Sequence, residues 1–230
     1  MTSRFKLLSL AAIMGLGVAG TGAAQQGEFS GNITLTTDYV FRGVTQTDGA
    51  PMVQGGFDWA SDTFYVGTWA SGVDFGDGTS TEIDIYAGFT PTVGIFSLDL
   101  GAIYYLYPDA PDNPDQNFIE FYAGGSTTLG DILDVGASVA FSPDFYLETG
   151  QALYISGSAG IPLGENFGLD GTVGFSEFLD SDDCPGCDYA DFSIGLTTSA
   201  AGFDFDARFI DTIDLNGNDE SFVVSVSRSL

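Results

Sequence analysis

The sequence predicts an all-β chain that folds into an antiparallel transmembrane β-barrel of about 12 strands. The first observation is a period of two: from Phe96 to Leu106 alternate residues are apolar, and the residues between them are mixed in character. The second is that about a dozen such stretches recur along the chain, separated by turns. The third is an apolar leader at the N-terminus. Strands that alternate between lipid and a polar interior have this pattern.

Residues 1–24 have the composition of an export signal peptide. Arg4 and Lys6 precede a short apolar run, and Gly22-Ala23-Ala24 supplies small residues for cleavage. Residues 25–230 are then expected to form one barrel domain, exported to the bacterial outer membrane. No later stretch has about 20 consecutive apolar residues, so no transmembrane helix is expected.

Twelve strands follow from the alternation, and an even number lets both termini lie at one end of the barrel. The strands are expected at residues 31–42, 51–60, 63–73, 81–90, 93–106, 117–127, 132–142, 151–162, 167–178, 189–198, 202–213 and 220–230. In every strand but the third, alternate residues form an apolar outward face. The first and last residues of these faces are, in strand order, Ile33 and Phe41, Val53 and Trp59, Ile83 and Phe89, Phe96 and Leu106, Ile119 and Ala123, Leu133 and Phe141, Leu153 and Ile161, Phe167 and Phe175, Phe192 and Thr198, Phe203 and Phe209, and Phe222 and Val226.

Three details qualify this assignment. In the third strand two sets compete for the outward face, one beginning at Phe64 and the other at Tyr65. In the first strand Tyr39 and Phe41 are expected to face outward, in an aromatic girdle near the membrane interface. The many glycines inside strands are compatible with a curved sheet, because glycine permits bends and close backbone approach.

The connections alternate in length. After odd strands they are longer and mostly acidic, whereas after even strands they are tight turns, as expected for extracellular loops and periplasmic turns. Residues 214–220 bear a faint similarity to a calcium loop. A solvated acidic loop is the simpler interpretation, and divalent cations that bridge the loops to lipopolysaccharide phosphates are the alternative.

The charge balance excludes several classes of function. The chain has 32 acidic residues, five basic residues and no histidine. Beyond the signal peptide the only cations are Arg42, Arg208 and Arg228, so nucleic-acid binding is excluded. Without histidine, Ser-His-Asp and Cys-His catalysis and histidine metal sites are excluded as well. We therefore expect no enzyme, no cofactor and no metal centre.

The inward faces carry most of the ionisable side chains. A carboxylate that faced lipid would cost a few kcal/mol, so these groups need water or partners. We expect a hydrated, anionic lumen that favours cations, rather than one in which several of the acids are protonated. A further alternative is a narrow barrel filled by its own side chains. Arg42 and Arg208 would either form a constriction that sets selectivity or neutralise neighbouring acids. The lumen residues are Asp38, Arg42, Asp58, Glu82, Asp84, Asp99, Glu120, Asp134, Asp170, Asp191, Asp204, Asp206 and Arg208.

The two cysteines, Cys184 and Cys187, form a C-x-x-C in a long loop. A redox motif would need a βαβ context, and a zinc site would need more ligands. In an exported chain the expected outcome is a small-loop disulfide between them.

Several segments resemble a known family along nearly the whole chain after residue 24. They are SGNITLTTDYVFRGVTQTDGAPMVQGGFDW at 30–59, FYVGTWASGVDF at 64–75, EIDIYAGF at 82–89, YYLYPD at 104–109 and FVVSVSRSL at 222–230. They resemble the TorF-like (Gcw_chp) family, whose members are regarded as outer-membrane porins. The resemblance implies a barrel of porin type and brings no catalytic residues.

Together these features predict a passive channel for small hydrophilic solutes or ions, surrounded by outer-membrane lipid and lipopolysaccharide. Porins often form homo-oligomers, but the sequence identifies no interface. A non-conducting barrel that anchors or displays acidic loops is the main alternative. An outer-membrane hydrolase and a soluble periplasmic β-sandwich are further alternatives, and the latter would bury the apolar face.

Overall fold

The computed structural model describes residues 27–130, 132–180, 187–215 and 220–230. The predicted signal peptide lies outside these residues. The strands are β1 (Glu28–Thr36), β2 (Val40–Phe41), β3 (Val44–Thr45), β4 (Met52–Ala60), β5 (Phe64–Gly72), β6 (Thr81–Phe89), β7 (Thr92–Val93), β8 (Phe96–Leu106), β9 (Phe118–Leu129), β10 (Leu133–Ser142), β11 (Ala152–Leu163), β12 (Phe167–Phe178), β13 (Tyr189–Ala200), β14 (Phe203–Ile213) and β15 (Ser221–Ser229).

Twelve of these strands close into an antiparallel barrel. Each long strand pairs with its neighbours in the chain, β6 pairs with β8, and β1 pairs with both β4 and β15, which completes the ring. The two-residue β7 only extends the turn before β8, and β2 and β3 form a separate hairpin. The all-β fold and the count of twelve are therefore confirmed.

The two faces of the wall separate as the alternation predicts. Phe57, Val173 and Phe222 on the outer face are 67, 62 and 69 % exposed. In β5 the structure selects between the two competing sets: Phe64 is exposed on the outer face, whereas Tyr65 is buried on the inner face. An apolar outer surface of this kind is suited to contact with lipid.

The first strand differs from its prediction. β1 ends at Thr36. Thr37 still donates its backbone N–H to the carbonyl of Val224 in β15, and the chain then leaves the wall and folds into the barrel, where β2 and β3 pair with each other. We call residues 37–50 the lumen hairpin. The expected outward positions of Tyr39 and Phe41 are wrong, because both rings pack against the buried aromatic residues inside the barrel.

The connections divide the barrel into two ends. Those that follow β1, β5, β8, β10, β12 and β14 lie at one end, which we call the long-loop end. The tighter connections, the first residue of β1 and the last residue of β15 lie at the other end, which we call the short-turn end. At the short-turn end the guanidinium of Arg228 lies 5.1 Å from the ring centroid of Phe203. No helix among the described residues is long and apolar enough to cross a membrane.

Candidate functional site

The lumen hairpin crosses the interior of the barrel. On one side the Tyr39 hydroxyl donates a hydrogen bond of 2.9 Å to Glu82 of β6. On the other side Gly43 lies so close to β13 and β14 that an added Cβ would be 2.8 Å from Cβ of Asp191 and 2.5 Å from Cγ2 of Thr212. The segment therefore contacts opposite parts of the wall.

The tip of the hairpin is a two-residue turn formed by Arg42 and Gly43. Their φ angles are 47° and 82°, the combination that a type I′ turn requires. The hairpin's base is tied by Asp38, whose carboxylate accepts hydrogen bonds of 2.7 Å from Thr45 and 2.8 Å from Thr47. The sequence thus closes the hairpin at both ends with local interactions.

A buried ion pair holds the tip in place. The two terminal nitrogens of Arg42 donate to the two carboxylate oxygens of Glu120, both at 2.8 Å, and the side chains are only 7 % and 1 % exposed. The guanidinium also lies 4.2 Å from the ring centroid of Tyr154. A bidentate pair without water around it fixes geometry. This environment favours the structural role for Arg42 over the selectivity role.

Tyrosines fill the interior between β4 and β9, toward the short-turn end. The Tyr86 hydroxyl donates to Asp58 at 2.6 Å, and the Tyr65 hydroxyl donates to Asp99 at 2.8 Å. The Tyr65 and Tyr122 hydroxyls are hydrogen-bonded to each other. Both carboxyl groups are therefore held by neutral hydroxyl donors, and no cationic side chain of the described residues pairs with them.

Glu82 and Asp84 face inward together on β6, beneath the lumen hairpin. Asp84 is 4 % exposed, and its Oδ1 has no hydrogen-bond partner. Within the described part of the chain, no group of three or more His, Cys, Asp or Glu side chains is arranged to hold a metal ion.

The opposite wall, formed by β10 to β14, carries small polar side chains. Hydroxyl pairs join neighbouring strands there, Ser138 to Ser156 at 2.7 Å and Thr172 to Ser193 at 2.8 Å. Short side chains of this kind occupy far less of the bore than the tyrosines on the facing wall.

Arg208 lies on this wall in a different environment from Arg42. Its Nη2 contacts Asp170 at 2.8 Å and Asp206 at 2.9 Å, and the three side chains are 21, 32 and 24 % exposed. The guanidinium covers Gly195, where an added Cβ would be 2.5 Å from Arg208 Cζ. Water therefore reaches this ion-pair cluster, and the absence of a side chain at Gly195 makes room for it.

The remaining predicted lumen acids also lie on the inner face. Asp191 accepts a 3.0 Å hydrogen bond from the Tyr154 hydroxyl. Near the short-turn end Asp134 accepts from Thr128, and Asp204 accepts from Ser199. The predicted set thus divides into a buried group and a group that water reaches. The buried group is Asp38, Asp58, Glu82, Asp84, Glu120 and Asp191, and the accessible group is Asp99, Asp134, Asp170, Asp204 and Asp206.

A cavity of about 730 Å³ opens at the long-loop end, and we call it the vestibule. The lumen hairpin supplies part of its lining, and aromatic residues from the loops and strand ends supply most of the rest. Its aromatic lining is Phe41, Phe75, Tyr107, Phe118, Phe145, Tyr146, Phe178 and Tyr189. Sequence reasoning missed this site, although aromatic residues inside long acidic loops are a signal that could have indicated it.

Hydrogen bonds tie the loops around the vestibule together. Gln116 donates to Asp77 at 2.6 Å and accepts from Thr79 at 3.0 Å. Hydrogen bonds from Thr79, first from its backbone N–H, lower the pKa of Asp77 below its ordinary value. Cys187 also lines the vestibule and is disulfide-bonded; Cys184 lies outside the described residues.

Two solved structures share this fold. An outer membrane channel from Pseudomonas putida F1 aligns with a TM-score of 0.56 and 10 % identity, over 90 % of this chain and 97 % of that one. The NanC porin aligns with a TM-score of 0.54 and 6 % identity, over 88 % and 98 %. At such low identity the likeness shows the fold alone.

The sequence comparisons are more specific. No curated protein matches the chain significantly. A family described as a bacterial protein of unknown function (Gcw_chp) matches residues 20–228, nearly the whole chain, and the protein therefore belongs to the Gcw_chp family.

Proposed function

We propose that this protein is an outer-membrane channel for passive diffusion of small hydrophilic solutes or ions, with a preference for cations. The observation that carries the proposal is the charge inside the barrel. Inward-facing carboxylates far outnumber the arginines, and both inward-facing arginines are already ion-paired. The carboxylates that water reaches would then give the bore a net negative charge, which attracts cations and repels anions.

The fold supports the same proposal. A closed ring with an apolar outer face can sit in lipid without unpaired strand edges. The two solved structures that share the fold are named as a porin and as an outer membrane channel. In this orientation the long-loop end is extracellular and the short-turn end is periplasmic.

We place the solute path along the wall of small side chains. The carboxylates of Asp170 and Asp206 are accessible there, whereas Glu120 beneath the hairpin is almost fully buried. Solutes that leave the vestibule would pass Arg208 and its two acidic partners. The accessible acids, rather than the buried ones, would then set selectivity.

Reversal potentials across a salt gradient in planar bilayers test this proposal. We expect steady current steps from the parent and a reversal potential that indicates cation preference. Asp204→Asn and Asp206→Asn should both shift the reversal potential toward zero. Asp62→Asn, the same charge change in an exposed turn outside the bore, should leave it unchanged. An unmoved reversal potential in the two lumen variants would contradict the electrostatic part of the proposal.

One observation favours a second function, a non-conducting barrel that anchors and displays the acidic loops. The lumen hairpin contacts opposite parts of the wall, and tyrosines fill much of the space below it. Absence of current from protein that is demonstrably folded would support this second function and reject the channel.

A further inference from the structure

We infer that the vestibule is a binding site for organic cations, meaning an ammonium group carried on an apolar body. The inference deepens the proposed function, because it names the class of solute that the channel would collect at its outer mouth. It depends on the proposed function only for onward transport. Binding itself requires the vestibule alone.

Two groups of rings build the aromatic part of the site. In the first, Phe75 lies with ring centroids 5.5 Å from both Tyr107 and Tyr146, and these two tyrosines are 5.8 Å apart. The mutual packing of the three rings orients them without help from a ligand. Rings that are ordered in advance lose little freedom on binding.

The second group continues the aromatic lining toward the other wall. Phe145 is 4.6 Å from Phe118 and 5.7 Å from Phe178, measured between ring centroids. Together the two groups line one side of a cavity of about 730 Å³, which is within the range of small-molecule sites. Stacked and edge-on rings offer π faces, the electron-rich surfaces that attract cations.

The charged residues of the described lining favour a ligand with a positive charge. Asp48 and Asp74 are exposed carboxylates on the lining, and neither has an ion-pair partner among the described residues. The cationic side chain of that lining, Arg42, is already neutralised by Glu120. The vestibule therefore presents aromatic faces beside uncompensated negative charge, and this combination favours an organic cation over an anion.

A neutral sugar is the competing ligand, because sugars also stack on aromatic rings. Sugars need several side chains that donate and accept hydrogen bonds in one place. Several polar side chains of the described lining are already hydrogen-bonded to the protein. Gln46 donates to the carbonyl of Val44 at 2.9 Å, Thr45 donates to Asp38 at 2.7 Å, and Tyr107 is hydrogen-bonded to Glu82. The lining thus provides charge and π faces more readily than the hydrogen bonds that a sugar requires.

Calorimetric titration of the folded, full-length protein in a nonionic detergent tests the inference. Three probes that share a benzene ring differ in the charge of the group attached to it: benzyltrimethylammonium is cationic, benzyl alcohol is neutral and benzenesulfonate is anionic. We expect saturable binding of benzyltrimethylammonium, weaker binding of benzyl alcohol and no binding of benzenesulfonate. Equal binding of all three probes, or binding of maltose but not of the ammonium probe, would overturn the inference.

Two sets of variants assign the binding to the vestibule. Asp48→Asn combined with Asp74→Asn removes both charges. At position 48 asparagine tolerates the positive φ, and at position 74 it keeps the side-chain oxygen that accepts a hydrogen bond from the backbone N–H of Gly76. Affinity for the ammonium probe should fall about fivefold in low salt, and less in high salt. Asp62→Asn with Glu165→Gln, in two exposed turns at the short-turn end, is the matched control and should have no effect.

The aromatic contribution is tested by Tyr146→Leu, which keeps an apolar side chain and removes a π face. Affinity for benzyltrimethylammonium should fall about threefold, and affinity for benzyl alcohol should change less. Unchanged affinity in both variant sets would reject the vestibule as the site.

Conductance separates this inference from the proposed function. Binding without current in bilayers would reject the channel and leave the binding site standing. Current without saturable binding of the ammonium probe would reject the inference and leave the channel standing.

Discussion

The two residues at the tip of the lumen hairpin show how closely single positions are constrained. Arg42 has a positive φ that non-glycine residues rarely adopt, and the bidentate pair with Glu120 compensates for it. Gly43 combines a positive φ with direct contact to the wall on the far side of the bore. Arg42 is held in place by its side chain, whereas position 43 requires a residue without a side chain.

Gly43→Ala should destabilise the protein by about 1 to 3 kcal/mol, because the added methyl group would overlap with Asp191 and Thr212 and φ would be strained. Urea unfolding of the protein in lipid vesicles measures the change. Gly49→Ala is the matched control, since its φ of 73° carries the same strain but nothing lies within 4 Å of the added Cβ. Equal effects of the two changes would show that contact with the far wall contributes nothing.

At the scale of elements, the lumen hairpin is the segment that crosses the bore. Nothing covalent holds residues 37–50 inside the barrel apart from their two connections to β1 and β4. The hairpin is retained by the Arg42–Glu120 pair, by the hydrogen bond from Tyr39 and by ring contacts. Loss of the buried ion pair should therefore release it.

Glu120→Gln should weaken the retention of the hairpin by about 3 to 5 kcal/mol, because Arg42 would stay buried without its counter-ion. We expect larger current steps and cleavage by trypsin after Arg42, which is shielded in the parent. Mass spectrometry of the digest reads the cleavage directly. Glu177→Gln, on the exposed face of β12, is the control.

A second variant separates charge from shape at the same site. Arg42→Met combined with Glu120→Met removes both charges, and no charge is left unpaired. Because this variant has no trypsin site at position 42, it is compared with Glu120→Gln by current steps and by chymotrypsin cleavage after Phe41. We expect both to return most of the way to those of the parent. If Glu120→Gln remains resistant to trypsin at Arg42, the ion pair does not retain the hairpin.

The inward fold of the lumen hairpin could not be predicted from the sequence pattern. The period of two continues through Tyr39 and Phe41, so the pattern gave no sign that β1 stops at Thr36. What turns the chain inward is a set of contacts with distant strands, above all that between Arg42 and Glu120. Such a partner is invisible to local periodicity, although the Arg-Gly pair at a type I′ turn is a local signal in retrospect.

At the scale of the whole molecule, the closed ring with its apolar exterior was predictable. The alternation of apolar and polar residues and the spacing of the turns can be read from short segments of sequence, and together they give the strand count. The alternation arises because one face of each strand contacts lipid and the other faces the interior. The sorting of the inward acids into buried and accessible groups was not predictable, because it depends on tyrosines from other strands. Asp58 and Asp204 are both predicted to face inward, yet Asp58 is buried beside the ring of Tyr86, whereas Asp204 is partly exposed.

Val173→Arg should destabilise the barrel by about 2 to 4 kcal/mol in vesicles, because position 173 lies midway along β12 on the outer face. Leu163→Arg, also on the outer face but at the end of β11, should cost only about 0 to 1 kcal/mol. Reversible urea unfolding in vesicles gives both values. The same cost at both depths would mean that lipid does not surround the wall.

The pairing of β1 with β15 joins the first and last strands of the ring, with Asn32 opposite Ser229. The lumen hairpin leaves the wall directly after that seam, and its tip touches strands near the C-terminus. The contact of Gly43 with Asp191 and Thr212 can form only once β13 and β14 are in place, so docking of the tip is coupled to assembly of the C-terminal part of the ring.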